Sequence, residues 1–232
     1  MRQRRAMTSD ADAVVFDLDG VLVDSETIWD DVRRAFVERH GGTWLPDATR
    51  TMMGMSAPEW SAYMHDRLGI ALPPGEIAAR VAEQVEAEYR RHLPLLPGAA
   101  AAVTRLAAVW PLGLASSSNR TTIESFLDIS GLRSHFAVTV SSEEVEHGKP
   151  APDVYLEAVR RLRADAVRCA AIEDSTNGLL AAAAAQLAVV AVPNRHFPPS
   201  PDALARTALV VESLDDVTPE QIAVAVRRHV AC

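Results

Sequence analysis

The chain is organised around one stretch, Ala13-Val14-Val15-Phe16-Asp17-Leu18-Asp19-Gly20-Val21-Leu22-Val23-Asp24-Ser25. An apolar, β-branched run leads into two aspartates, and a glycine follows at once. Such a run, bounded by a glycine, is typical of a buried strand in a parallel sheet. Asp17 and Asp19 would then lie at the carboxyl end of that strand, where open α/β sheets bind their ligands.

Two carboxylates so close together repel one another and need a cation or a shared proton. A hard metal ion with oxygen ligands, such as Mg²⁺, would neutralise them. Asp17 could then attack a phosphorus atom as a covalent nucleophile, while Asp19 could protonate a leaving oxygen and later deprotonate water. Asp and Gly are also common in turns, so Asp-Leu-Asp-Gly alone is equally compatible with an acidic turn.

Length and composition limit the class of protein. With 232 residues, of which 48% are hydrophobic, the chain can form one sizeable core, or one core and a small accessory domain. A formal charge of -8 argues against nucleic-acid and anionic-membrane partners, which favour a basic surface.

Neither a signal peptide nor a membrane span is predicted, so we expect a cytoplasmic protein. Cys169 and Cys232 are too few for a disulfide framework and are predicted to be free thiols.

The polar segment Met1 to Asp10 is expected to be mobile, with the fold beginning near Asp12. From Glu26 to Leu93 the pattern is helical and amphipathic, without a convincing strand. The predicted helices are one around Ile28 to Arg39 that ends at Gly41-Gly42, one that begins at Ser56-Ala57-Pro58-Glu59 with a capping box, and one over Glu76 to His92. A helical insert after the first strand predicts a cap domain over residues 25–94.

After Pro97-Gly98 strands and helices alternate to the end of the chain, which implies right-handed βαβ units and a parallel sheet. The predicted fold class is therefore α/β, with a doubly wound, Rossmann-like core over residues 12–24 plus 95–232. Helices are predicted over Ala99 to Val109, Thr121 to Leu127, Ala151 to Leu162 and Gly178 to Ala185. Strands are predicted over Leu112 to Ala115, Phe136 to Val140, Cys169 to Ile172, Leu187 to Val192 and Ala208 to Val211.

Three further polar patches follow predicted strands. Ser116-Ser117-Ser118-Asn119 suits phosphate oxygens, although serines at such turns are also frequent helix caps. Lys149, the only lysine of the chain, lies between a glycine and two prolines, which suggests that a compact point charge is needed there. Glu173-Asp174 could stabilise the start of a helix or complete a metal site with Asp17 and Asp19.

These four patches, in this order and at this spacing, resemble the motifs of the haloacid dehalogenase-like hydrolase superfamily. The similar branch contains the β-phosphoglucomutase-like and phosphoglycolate phosphatase-like enzymes, which carry a helical cap. The resemblance implies that Asp17 is phosphorylated, that Asp19 is the acid and base, and that Ser116, Ser117 and Lys149 bind phosphate. It further implies a Mg²⁺ site made by Asp17, Asp19 through its backbone carbonyl, Asp174 directly, and Glu173 directly or through water.

The cap departs from the β-phosphoglucomutase pattern, which has a histidine and an arginine at the positions of Trp29 and Ala57. This absence disfavours mutase activity. Gln186 stands where the relatives usually have a glycine. This difference is expected to affect the end of a helix and not the chemistry of the site. Specificity would depend on cap residues, which could equally be packing residues; the candidates are Trp29, Met53, Met55 and Trp60.

The predicted function is a Mg²⁺-dependent phosphatase of a small phosphorylated metabolite, expected to be a sugar phosphate, acting as a monomer through an aspartyl-phosphate intermediate. One alternative is a phosphomutase on the same scaffold. A dehalogenase is less consistent with the residues, since carbon–halide attack needs neither Asp19 nor a metal. An alternative from another class is a phospho-accepting signalling or binding protein without turnover, although a signalling receiver domain needs about half this length and no cap.

Overall fold

The computed structural model describes residues 11–194 and 197–231. The predictions for Met1 to Asp10 and for Cys232 fall outside these residues. Cys169 is described and is a buried free thiol, as predicted. Within residues 11–194 and 197–231, every helix is too short or too polar to be a membrane span.

Six parallel strands form one sheet with the spatial order β3-β2-β1-β4-β5-β6. The order runs outward in both directions from β1, so the topological switch point lies between β1 and β4. The predicted α/β fold with a doubly wound parallel sheet is therefore confirmed. The strands are β1 (Ala13–Phe16), β2 (Leu112–Ser116), β3 (Phe136–Ser141), β4 (Cys169–Glu173), β5 (Ala188–Ala191) and β6 (Leu209–Val210).

Helices cover the sheet and fill the connection between β1 and β2. That connection contains α1 (Glu26–Arg39), α2 (Ala48–Met52), α3 (Ala57–Asp66) and α4 (Pro74–Arg91), which confirms the predicted helical insertion. The remaining helices are α5 (Ala99–Ala107), α6 (Arg120–Ser130), α7 (Asp153–Leu162), α8 (Thr176–Ala184), α9 (Pro201–Leu204) and α10 (Pro219–Val230). The sequence analysis did not predict α2, α9 or α10.

Strand β1 has no solvent-exposed face. Val14 and Phe16 belong to one apolar cluster, whereas Ala13 and Val15 belong to a second cluster on the opposite side of the sheet. All four residues have zero exposure, because helices cover both faces of a parallel sheet. This double burial explains why β1 is a continuous apolar run, and it places the aspartates that follow at an edge between two covered faces.

The inserted helices share a core with the sheet. Phe36 on α1, Met64 on α3 and Val85 on α4 have zero exposure and belong to the same apolar cluster as Phe16. The cap is thus held against the core by apolar packing, in addition to its two chain connections. The division into residues 25–94 and the rest stays a prediction.

Local signals explain where several helices begin and end. The predicted capping box starts α3, where the backbone N–H of Ser56 donates to Glu59 Oε2 at 2.7 Å. Helix α1 ends at Arg39, and Gly41 follows with φ +74°, a conformation that glycine adopts easily. Helix α7 begins at Asp153 instead of the predicted Ala151, because Pro152 disfavours helical geometry in the residue before it.

Candidate active site

The carboxyl ends of β1, β2 and β4 bring the predicted site residues to one edge of the sheet. Phe16, the last residue of β1, is aligned with Ile172 of β4 and Leu114 of β2. The backbone N–H of Asp17 donates to Ile172 O at 3.0 Å. Asp17 therefore lies beside the end of β4, where Glu173 and Asp174 follow.

Lys149 joins two of these acids. Its Nζ lies 2.5 Å from Asp17 Oδ1 and 2.6 Å from Glu173 Oε1, and 5.0 Å from the centre of the Tyr155 ring. The lysine is only 4% exposed, so the charge is compensated by these carboxylates and not by bulk water. In the described part of the chain, Lys149 donates the only hydrogen bond to the Asp17 carboxylate, which leaves Oδ2 without a protein donor.

Asp17, Glu173 and Asp174 form a buried acidic triad, each with a carboxylate oxygen within 4.8 Å of the others. Three carboxylates share the one ammonium of Lys149, so two negative charges stay uncompensated when all are ionised. Asp174 Oδ1 is buried and has no hydrogen-bond partner. A divalent cation with oxygen ligands fits both the missing charge and this unsatisfied oxygen.

The pKa values of the triad and of Lys149 also indicate that a cation would be stabilised there. Burial, with the nearby charges of Glu173 and Asp19, raises the pKa of Asp17 to about 8, although Lys149 acts in the opposite direction. Burial and the charges of Glu173 and Asp17 also raise the pKa of Asp174 well above its usual value. Burial lowers the pKa of Lys149, but Asp17 and Glu173 more than offset this and keep it above its ordinary value. The site thus favours a cation bound beside its carboxylates.

Glu173 is held by hydrogen bonds to both carboxylate oxygens. Oε1 accepts from Lys149 and from the Tyr155 hydroxyl at 2.7 Å, and Oε2 accepts from the backbone N–H groups of Asp174 at 3.0 Å and Ser175 at 3.3 Å. A Cβ at Gly178 would lie 1.8 Å from Glu173 Oε1. The carboxylate therefore folds under the first turn of α8, and only glycine at position 178 leaves room for it.

The Asp19 carboxylate lies outside the acidic triad. Its Oδ1 accepts from Ser25 Oγ at 2.5 Å, and its Oδ2 accepts from Ser118 Oγ at 2.7 Å and Ser116 Oγ at 3.3 Å. Asp19 nevertheless lines the same cavity as Asp17. The structure thus separates the two aspartates of the motif, one beside the lysine and one beside hydroxyls.

The predicted phosphate-binding serines take different positions. Ser117 lines the cavity and its Oγ donates to Gly54 O in the cap at 3.4 Å. Ser116 is fully buried, and besides its contact with Asp19 its Oγ accepts from the backbone N–H of Ser118 at 2.9 Å. Ser118, which belongs to the predicted serine patch but was not assigned a phosphate contact of its own, also lines the cavity. The serine turn therefore presents its second and third residues to the cavity and uses its first to organise the turn.

The cap and the sheet edge together line a partly open cavity of about 100 Å³. This volume is small beside the ~300–1,000 Å³ of typical pockets for drug-sized ligands. The four cap residues considered for specificity, Trp29, Met53, Met55 and Trp60, all line the cavity, and so does Ala57. The two tryptophans are also buried in the apolar core, so they serve both packing and the cavity wall.

Two residues with contacts in the site were missed by the sequence analysis. Tyr155 donates to Glu173, and its signal was its place near the start of the helix that follows the lysine motif. Arg33 lines the cavity, with its guanidinium carbon 4.7 Å from the ring centres of both Trp29 and Trp60. Its signal was the spacing of four residues from Trp29, which places both side chains on one face of α1.

Comparison with known proteins identifies relatives of this fold and site. The sequence pattern described as haloacid dehalogenase-like hydrolase matches residues 11–186. Hexitol phosphatase B of Escherichia coli K12 is 34% identical over 78% of this chain and 83% of the relative. The bifunctional riboflavin kinase/FMN phosphatase of Arabidopsis thaliana is 31% identical over 90% of this chain, which spans only 55% of that longer protein.

A solved structure extends the comparison to the geometry. The D10N variant of CbbY from Rhodobacter sphaeroides, in complex with xylulose-(1,5)bisphosphate, superposes with a TM-score of 0.78 and is 25% identical. The match covers 89% of this chain and 96% of that chain. The similarity therefore extends over both the sheet and the helical insertion.

Proposed function

The chain belongs to the haloacid dehalogenase-like hydrolase family and is a phosphatase of phosphorylated sugars or related metabolites, and we propose that it acts through an aspartyl phosphate on Asp17 with Mg²⁺ as cofactor. The observation that carries this proposal is the position of Lys149. Its ammonium bridges Asp17 and Glu173 in a buried site, so a fixed positive charge lies where an attacking carboxylate and a phosphoryl group would meet. Electrostatic stabilisation of this kind is a major source of catalysis in phosphoryl transfer.

In the first step Asp17 Oδ2 attacks phosphorus and the bond between phosphorus and the ester oxygen breaks. Asp19, in its protonated form, gives its proton to the departing alkoxide. In the second step water attacks the aspartyl phosphate, Asp19 takes the proton from that water, and the bond between Asp17 and phosphorus breaks. Inorganic phosphate leaves, and both aspartates return to their initial states. Ser117, Ser118 and Lys149 would bind the phosphoryl oxygens throughout.

Asp17 and Asp174 are the residues that would hold Mg²⁺ through their side chains, together with the backbone carbonyl of Asp19. The hydrogen bonds to both oxygens of Glu173 favour a role in holding Lys149, with any contact to the metal made through water. When bound, Mg²⁺ supplies positive charge to the phosphoryl oxygens and to the acidic triad.

The size of the cavity favours a small leaving group. The relatives include a hexitol phosphatase and an FMN phosphatase, whose names indicate leaving groups of very different size. A cavity of about 100 Å³ suits the smaller of the two. The proposed substrate is therefore a phosphate ester of a sugar, polyol or short-chain acid.

Hydrolysis is favoured over isomerisation by the cavity wall. Trp29 lines the cavity where the mutase pattern has a histidine, and it offers no proton acceptor. Ala57 replaces the arginine of that pattern, but Arg33 also lines the cavity, so the missing proton acceptor, and not a missing charge, favours hydrolysis. His65 is turned away, because its Nδ1 is bonded to the carbonyls of Ile70 and Leu72. Arg50 is exposed and does not line the cavity.

A substrate panel tests the activity and its fate together. With Mg²⁺, we expect phosphate release from several sugar, polyol and short-chain phosphates, and loss of that release with chelator. With β-glucose 1-phosphate and a catalytic amount of the 1,6-bisphosphate, we expect free phosphate and little glucose 6-phosphate. Rapid formation of glucose 6-phosphate would identify a mutase, and the absence of any phosphate release would contradict the phosphatase.

Mg²⁺ is also expected to stabilise the fold. A ligand at 100 times its dissociation constant adds about 2.7 kcal/mol, which corresponds to roughly 5–10 °C in Tm for a chain of this size. We expect this rise on replacing chelator by Mg²⁺ at pH 7, and we expect Asp174→Asn to lose most of it. Asp66→Asn, at the exposed end of α3, is the matched control. An equal rise in the Asp174 variant would contradict the metal site.

A further inference from the structure

The cap wall of the cavity contains one cation whose charge the proposed chemistry does not use. Arg33 extends from α1 beside the indoles of Trp29 and Trp60, with its guanidinium carbon 4.7 Å from each ring centre. The two rings contact each other edge-on with their centres 5.9 Å apart, so they lie on neighbouring and not on opposite sides of the guanidinium, where both stabilise its charge. The edge of the guanidinium, with its N–H groups, stays available for other contacts.

That edge is not satisfied by the protein. Arg33 Nε is buried and has no hydrogen-bond partner within the described residues, and no ion pair is formed between Arg33 and a described acid. Asp30, one of the acids whose charge acts on Arg33, is bonded instead to Arg34 at 3.2 Å and to Thr49. A buried charged donor without a partner is costly, so its retention beside the site calls for a ligand.

Burial lowers the pKa of Arg33 to about 10, although the charges of Asp19 and Asp30 act to raise it. The group is therefore fully charged at neutral pH. A charged, planar edge with parallel N–H donors matches the two oxygens of a carboxylate or phosphate better than it matches separate hydroxyls.

We propose that Arg33 is a specificity-determining residue that binds a second anionic group, a carboxylate or a second phosphate, on the leaving group of the substrate. This inference rests on the proposed phosphatase activity and narrows its substrate class. The phosphoryl group that is cleaved would lie at Asp17 and Lys149 on the sheet edge, whereas the second anion would lie under the cap at Arg33. The requirement for both anions at once would select among phosphorylated metabolites of similar size.

Matched substrate pairs test this proposal. 3-Phosphoglycerate and glycerol 3-phosphate differ by a carboxylate in place of a hydroxymethyl group, as do 6-phosphogluconate and sorbitol 6-phosphate. Fructose 1,6-bisphosphate against fructose 6-phosphate tests a second phosphate instead. In at least one pair we expect kcat/KM to be about 10- to 100-fold higher for the member that carries a second anionic group. The pair that shows this preference identifies the anion and its distance from phosphorus.

Arg33→Met keeps most of the packing volume against the indoles and removes the charge. This variant is expected to abolish the preference, mainly by raising KM for the substrate with the second anionic group. For the substrate without that group, kcat/KM should change by less than about 3-fold. Arg39→Met is the matched control, because Arg39 lies on the same helix, is exposed, contacts Gln84 and does not line the cavity. Arg33→Lys, which keeps the charge without the planar edge, should retain part of the preference.

An equal loss of kcat/KM for both members of every pair would show that Arg33 serves packing and would overturn the proposal. A wild-type enzyme without any preference for the substrates with a second anionic group would also overturn it. If neither Arg33 variant folds, the preference of the wild-type enzyme within these substrate pairs tests the proposal by itself. Failure of the phosphatase itself is a separate result, seen as no phosphate release from any substrate. In that case calorimetric binding of the same pairs to the wild-type protein still shows whether the second anion is recognised.

Discussion

Asp17→Asn is expected to abolish phosphate release, with kcat reduced by at least about 10⁴-fold. The substitution keeps the shape of the side chain and removes the oxygen that would form the bond to phosphorus, so the covalent route is closed. Phosphate release with Mg²⁺ on the best substrate of the panel measures the effect. Wild-type-like turnover in this variant would exclude Asp17 as the nucleophile.

The same variant should remain folded. Asparagine has the volume of aspartate, and burial raises the pKa of Asp17 above its ordinary value, so a neutral side chain is less costly at this position than at an exposed one. Tm measured with chelator is expected to change by only a few degrees. Asp66→Asn, which is remote from the cavity, serves as the control and should keep full activity.

Lys149→Met is the second large effect that we expect, with kcat/KM lowered by roughly 10²- to 10³-fold. The ammonium would stabilise negative charge as it accumulates on the phosphoryl oxygens, and methionine offers a similar length without charge. Steady-state kinetics below the unfolding transition measure the loss. Unchanged kcat/KM in a folded variant would show that Lys149 has only a structural role.

Lys149→Met should also lower stability, because it leaves Glu173 buried without its counter-charge. Breaking a buried ion pair costs about 3–5 kcal/mol, which corresponds to a fall in Tm of roughly 6–20 °C. Tyr155→Phe separates the two effects, since it removes one hydrogen bond to the same Oε1 atom of Glu173 and leaves the ammonium in place. We expect Tyr155→Phe to cost about 1–3 kcal/mol and to leave kcat/KM within about 5-fold of the wild type.

The amino-acid sequence alone determined the order of the six strands, the helical insertion after the first of them, and the positions of Asp17, Lys149 and Asp174 at strand-to-helix turns. These features depend on neighbours in sequence. An apolar run such as residues 13–16 forms a strand wherever two faces are covered, and the capping box at Ser56 needs only Glu59, three residues away. The motifs then specify which strand ends carry charge, since parallel strands bring their carboxyl ends to one edge.

The tertiary structure alone decided how the charges are shared. Glu173 lies 24 residues from Lys149, and its hydrogen bonds to that lysine and to Tyr155 follow from the packing of α7 against the sheet. Asp19 is oriented by serines from two separate segments, Ser25 and Ser118. The predicted grouping of Asp17 with Asp19 could not reveal that their carboxylates have different partners, because sequence spacing does not give the direction of a side chain.

The same limit explains why Arg33 was missed. Its environment is made by Trp29 from its own helix and by Trp60 from α3, and the buried state of Nε exists only where these helices meet. Local sequence determines which helix forms and which residues share its face. Which charged group is left without a partner depends on contacts between elements far apart in the chain, and only the packed structure decides these.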